Sequence, residues 1–225
     1  MDILLYVVAL GVVAFFTGKF IKHKSLYPFM PFKYDFRKRR DTFLKTMELM
    51  EQINARVIIE TGTSREGLKG AKSNGAATIV FGKWAKEHGA VLHSVDINSE
   101  SIANSSAEVE RQGLQDTVTL HHSDSLDFLK DFAQPVDMLY LDSYDYSSHD
   151  VEIQRKSQEH HLEEFKRIAD QLHENTIVLI DDCDLPNGGK GKLVIAYMLE
   201  HGWKIVLESY QVLLVRNNFA LDKAV

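Results

Sequence analysis

Cysteine occurs once, at Cys183. An internal disulfide is therefore excluded, and a lone thiol fits a reducing compartment. There is no internal repeat and no low-complexity tract, so solenoid and linker-like architectures drop out. Positive charge is outnumbered by negative charge beyond the first quarter of the chain. Residues 1–55 carry nine Lys/Arg against five acids, while the whole chain has a net charge of −6. The remainder is strongly acidic, and no nucleic-acid partner is expected, because phosphate contacts need a cationic surface. Two phosphate-binding patterns are also missing. Gly188-Gly189-Lys190-Gly191-Lys192 lacks the rest of a P-loop, and Gly62-Thr63-Ser64-Arg65-Glu66-Gly67 supplies only two of the three glycines of a dinucleotide fingerprint. What is present, 44% hydrophobic residues over 225 positions, suffices for the core of one domain.

The N-terminus holds the longest apolar run. Ile3 to Gly18 is free of charge, and Phe20 and Ile21 continue it past Lys19. A cleaved signal peptide is disfavoured, since Asp2 replaces the expected basic start and no small-residue cleavage site follows. A buried core helix fits the length. The favoured reading is a membrane anchor over residues 1–24, at the short end for a span. Lys19, Lys22, Lys24 and Arg37 to Arg40 lie on its C-terminal side, which places the following domain on the cytoplasmic face. Residues 25–55 read as a linker and a helix. Pro28 and Pro31 among aromatics suggest an extended stretch. Asp41 to Asn54 has helical spacing, with Phe43, Met47 and Met50 on one stripe and Leu44 and Leu49 widening it.

From Arg56 the pattern becomes short apolar runs separated by helical stretches. The runs are Val57 to Glu60, Val91 to Ile97, Val118 to His121, Val136 to Asp142, Ile177 to Asp181, Lys204 to Glu208 and Val212 to Val215. The intervening helices are expected over Ala76 to His88, Ser99 to Gln112, Ser125 to Phe132, Val151 to Leu172 and Lys192 to His201. This alternation predicts an α/β domain over 56–225, with parallel strands joined by helical crossovers. The last two runs, three residues apart, predict an antiparallel hairpin.

In open α/β sheets ligands sit beyond the C-terminal ends of the strands. The first run ends Glu60-Thr61-Gly62-Thr63-Ser64, where glycine permits close backbone approach. The second ends at Asp96-Ile97, an acid suited to both hydroxyls of a ribose. Asp96 lies 34 residues beyond Gly62, against about 20 in nucleotide-binding folds. The excess falls in Glu66 to Asn74, read as a mobile cover. The third ends at Asp124-Ser125, either a contact for an exocyclic amine or a helix N-cap. The fourth ends Asp142-Ser143-Tyr144-Asp145 and the fifth Asp181-Asp182. Carboxylates presented toward one crevice repel unless a cation intervenes, which a divalent ion does well. Exposed loop acids are the plainer alternative.

In this order the strand ends resemble the class I S-adenosylmethionine (SAM)-dependent methyltransferases over about residues 56–217. Glu60 to Ser64 resembles the family's first motif, departing from it at Ser64, where glycine is commoner. The resemblance implies a seven-stranded Rossmann-like methyltransferase fold and SAM as cofactor. It assigns Asp96 to the ribose, with Ile97 beside it, and Asp124 and Ser125 to adenine. Asp142 to Asp145 and Asp181-Asp182 resemble motifs of a subgroup containing small-molecule and sugar O-methyltransferases. In some members the corresponding aspartates hold magnesium, which implies Asp142, Asp181 and Asp182 as candidate ligands of Mg2+ or another divalent cation. Transfer is a direct displacement governed by alignment. Asp142, Asp145 and His149 are the candidates for taking a proton from the acceptor, a small molecule or sugar. A nicotinamide-dependent oxidoreductase and a silent, membrane-tethered binding module remain alternatives.

Overall fold

The computed structural model describes residues 2–23 and 28–219. Residues 24–27, which include Lys24 and part of the expected linker, and residues 220–225 lie outside them. The elements follow in the order α1 (Asp2–His23), α2 (Arg40–Gln52), β1 (Val57–Thr61), α3 (Ala71–Asn74), α4 (Ala77–His88), β2 (Val91–Asp96), α5 (Ser99–Arg111), β3 (Val118–His122), α6 (Ser125–Asp131), β4 (Val136–Leu141), α7 (Val151–Ile168), β5 (Leu172–Ile180), α8 (Lys192–Glu200), β6 (Trp203–Glu208) and β7 (Val212–Arg216). One sheet has the order β3-β2-β1-β4-β5-β7-β6. The first five strands are parallel, and β7 runs antiparallel to both β5 and β6. The sheet is therefore mainly parallel and closes on the hairpin.

The apolar runs are continuous because both faces of the sheet are covered. Successive side chains alternate sides. Ile58, Met138, Tyr140, Ile177 and Leu179 join one core with α2 and α4, contributed by Phe43, Met47, Met50, Val80, Phe81 and Trp84. Ile59, Leu139, Leu141, Val178 and Ile180 join the other with α6, α7 and α8, through Leu129, Phe165, Ile168, Val194 and Met198. The Phe43 ring meets Phe81 at 5.2 Å and Tyr140 at 6.1 Å, both edge-on.

Two stretches differ from the sequence reading. Residues 28–39 are packed onto the domain. Met30 and Phe36 are buried in the same core as the sheet, and Arg40 donates to the carbonyls of Met30 and Tyr34. β5 begins five residues early, at Leu172. Its polar start is held by Thr176, whose hydroxyl donates to the Val136 carbonyl at 2.6 Å, and by His173 against Asp137.

The anchor expectation is corrected. Among the described residues, no helix is long and apolar enough to cross a membrane. The uncharged stretch Ile3 to Gly18 is sixteen residues, a rise of about 24 Å at 1.5 Å per residue. A hydrocarbon core is about 30 Å thick. The transmembrane placement and the cytoplasm-facing orientation inferred from it fall together.

Candidate cofactor cleft and the carboxylate cluster beside it

The C-terminal ends of β1, β2, β3 and β4 open onto a cleft of about 700 Å³. Gly62, Asp96, Ile97, Asp124, Ser125, Asp142 and Asp145 all line it, together with Arg65, Asn98, Tyr144 and His160. Gly62 is required where β1 passes β4. Its φ is +84°, and a Cβ there would lie 2.5 Å from the Asp142 carbonyl oxygen.

Asp96 is oriented by the backbone. Its Oδ2 accepts from the Thr63 N–H at 3.1 Å and its Oδ1 from the Asn98 N–H at 2.8 Å. Ile97, 68% exposed, offers an apolar face at the same rim. Asp124 caps α6 by accepting from the Leu126 N–H at 2.8 Å, and it also lines the cleft.

Glu60, Thr63 and Ser64 are not among the cleft-lining residues. They are buried and brace the loop from behind. Glu60 accepts from the hydroxyls of Thr78 and Ser94. Burial pushes its carboxyl up to about 7, against the pull of those hydroxyls. Ser64 accepts from the Thr78 N–H at 3.2 Å, and Thr78 Oγ1 accepts from the Ser64 N–H at 2.8 Å. The serine that departs from the family motif thus tethers the start of α4. Thr63 donates to Ser105 on α5 at 2.8 Å. The long segment before α4 is likewise packed: it holds a tight turn over Gly67–Gly70 and then α3, and Leu68 and Ala71 are buried.

Beneath the cleft is a group that sequence reading passed over. Glu164 of α7, fully buried, accepts from Ser143 at 2.7 Å and Thr61 at 3.2 Å and pairs with His160 at 3.3 Å. His160 also meets Ser125 Oγ at 3.1 Å. Burial opposes the Glu164 charge, but His160 and the neighbouring hydroxyls outweigh it and hold the carboxyl down at about 2. One carboxylate thereby ties β1, the ends of β4 and α6, and α7 together. The nearest signal in the sequence is His160, one helical turn before Glu164 on α7.

Asp181 and Asp182 follow β5, next to Asp142, which follows β4. Asp181 is fully buried against Arg39: Nε donates to Oδ1 and Oδ2 at 3.1 and 3.0 Å, and Nη2 donates to Oδ2 at 2.8 Å. Lys190, 3% exposed, reaches Asp142 Oδ1 at 2.8 Å and Asp182 Oδ2 at 3.2 Å. Tyr210 donates its hydroxyl to Asp182. Burial pushes the Asp142 carboxyl well above the usual range, with Lys190 opposing and Asp181 and Asp182 adding to it. Among the described residues no group of His, Cys, Asp or Glu has the arrangement of a metal site. The donor set does not fit a divalent ion, because the oxygens expected to ligate it already face two side-chain cations.

The other proposed bases lie apart from this cluster. Asp145, on the cleft rim, is 78% exposed and accepts from Arg65 at 2.7 Å. His149 is exposed and does not line the cleft.

A mainly parallel sheet closed by an antiparallel hairpin, with acids at the ends of β2, β3 and β4 around one cleft, is the architecture of the class I SAM-dependent methyltransferases. Within that class, residues 72–183 match the family model described as a methyltransferase domain. No curated protein matches the chain. Solved structures share its fold. A methyltransferase of Podospora anserina with S-adenosylhomocysteine (SAH) bound superposes with a TM-score of 0.58 at 16% identity, covering 81% of this chain and 80% of its own. The O-methyltransferase of tomaymycin synthesis from Streptomyces achromogenes, in complex with SAM, gives 0.55 at 15% identity, covering 81% and 82%. An O-methyltransferase of Bacillus cereus in complex with SAH gives 0.54 at 14%, covering 79% and 81%.

Proposed function

We propose that the cleft holds SAM and that the chain transfers its methyl group to a hydroxyl oxygen of a small molecule or sugar. The observation that carries this is the meeting of Gly62, Asp96, Asp124 and Asp142 on one cleft. Asp96 accepts from the ribose hydroxyls, and Ile97 and Leu126 flank the adenine, with Asp124 and Ser125 at its edge. The sulfonium then lies between Gly62 and Asp142, where a carboxylate favours its positive charge. The oxygen acceptor is supported by the neighbours named as O-methyltransferases.

Methyl transfer needs nucleophile, methyl carbon and sulfur in line, so the protein's main task is alignment. The oxygen attacks the methyl carbon, the carbon–sulfur bond breaks, and SAH leaves with the electron pair. The acceptor's proton passes to Asp142, the candidate base that lies both on the cleft and in a setting that raises its proton affinity. Asp145 and Arg65 form the rim through which the acceptor enters. No step is routed through a divalent ion. A dinucleotide-binding alternative is not favoured: Gly67 is packed against Glu108 and does not line the cleft.

The test is calorimetric titration with SAM and SAH, followed by transfer of labelled methyl from SAM to a panel of sugars and phenols. No binding of either nucleoside by the folded chain would refute the reading.

A further inference from the structure

The carboxylate cluster at the ends of β4 and β5 carries its own counter-charges. Three donor bonds from Arg39 engage both oxygens of Asp181, whose side chain is fully buried. Lys190 arrives on a loop that doubles back over Asp182. Gly189 makes that path possible: at φ +55°, a Cβ there would lie 1.9 Å from the Asp182 carbonyl oxygen. The Lys190 N–H then donates to that same oxygen at 3.1 Å, fixing the ammonium between Asp142 and Asp182. A hard divalent ion takes six or more oxygens at about 2.0–2.6 Å. Here it would meet an ammonium of like sign, held in place and shielded from solvent. Three carboxylates against two cations leave one negative charge, and Asp142 is the member of the three that lines the cleft.

We propose that Arg39 and Lys190 are internal replacements for a divalent cation: the cluster takes no metal, and Lys190 is a positioning residue that holds Asp142 at the cleft. The role given to Asp142 rests on the methyl-transfer reading above, whereas the exclusion of metal rests on the ion pairs alone. The probe is Mn2+ titrated into the full chain, with the free ion followed by electron paramagnetic resonance. Wild type is expected to leave the free signal undiminished at sub-millimolar concentrations. Lys190→Gln, which leaves Asp142 and Asp182 uncompensated, is expected to capture Mn2+ at least roughly tenfold more tightly, and Lys190→Arg to abolish that capture.

Saturable binding to wild type that Asp182→Asn removes would overturn the proposal. So would a folded Lys190→Gln that captures no more Mn2+ than wild type. If Lys190→Gln fails to fold by circular dichroism, the wild-type and Asp182→Asn titrations decide alone. SAM calorimetry on the same preparations separates the two ideas: absent SAM binding sinks the methyl-transfer reading, while Mn2+ capture by wild type sinks only the internal cations.

Discussion

Replacing Asp96 by alanine tests the cofactor site most directly. The carboxylate is half-buried at the end of β2 and pre-aligned by the Thr63 and Asn98 N–H groups. With both ribose hydroxyls as donors it gains two charge-assisted hydrogen bonds, each worth about 1.5–3 kcal/mol. Solvent at the open cleft reduces their sum, so a loss of about 3 kcal/mol is the working figure, or a Kd for SAM raised roughly a hundredfold. Alanine also releases two backbone donors, which water can satisfy at this depth. The fold is therefore expected to survive, with thermal denaturation as the check. Calorimetry with methylthioadenosine and its 2′-deoxy form isolates the ribose. Wild type is expected to bind the deoxy form more weakly, and Asp96→Ala to bind the two alike. A folded variant with SAM affinity within twofold of wild type, or one that still distinguishes the two nucleosides fully, would refute the assignment.

Three other perturbations bear on the same architecture. Gly62→Ala puts a Cβ against the Asp142 carbonyl at a positive φ, and it is expected to abolish SAM binding and destabilise by about 1–3 kcal/mol; unchanged urea denaturation and SAM affinity would refute the close approach. Arg39→Met leaves Asp181 buried and unpaired, an expected loss of about 3–5 kcal/mol, and a drop in unfolding free energy under about 1 kcal/mol would show that the pair is not what satisfies that carboxylate. Glu60 holds its proton more tightly when folded, near pH 7, than when unfolded, near 4.5. Its contribution to stability is therefore lost as pH rises from about 4.5 to about 7 and is flat above, on the order of 3 kcal/mol in all. Glu60→Gln is expected to remove that slope in urea unfolding at pH 5 and pH 8; an identical slope in the variant would count against the buried carboxyl.

What could be read in the chain beforehand divides along sequence distance. The alternation of apolar runs and helical stretches is a local signal, and it yields the sheet because each strand is buried on both faces. The residues ending β1 to β4 could be named because topology brings strand C-termini to one rim whatever lies between them. The start of β5 is not legible in the sequence because His173, Glu174 and Asn175 are polar, and the side-chain bonds that tie it to β4 run from His173 to Asp137 and from Thr176 to Val136. The packing of Met30 and Phe36 was missed because two prolines look like an extended linker until a core is available to receive the aromatics.

The carboxylate cluster shows why local reading stops where it does. Asp142, Asp181 and Asp182 could be recognised as a set that needs compensation, since repulsion among close acids follows from their positions alone. The nature of the compensation could not, because Arg39 is 142 residues from Asp181 and Lys190 is 48 from Asp142. Lys190 even carried a misleading local signal, as its flanking glycines suggest a loose loop. In the fold, Gly189 instead provides the one backbone path that passes over the Asp182 carbonyl. Without these two cations the same three aspartates would be uncompensated, which is the condition that favours a divalent ion. The difference between the two chemistries therefore lies in an arginine before α2 and a lysine before α8, and in no residue of the acidic motifs themselves.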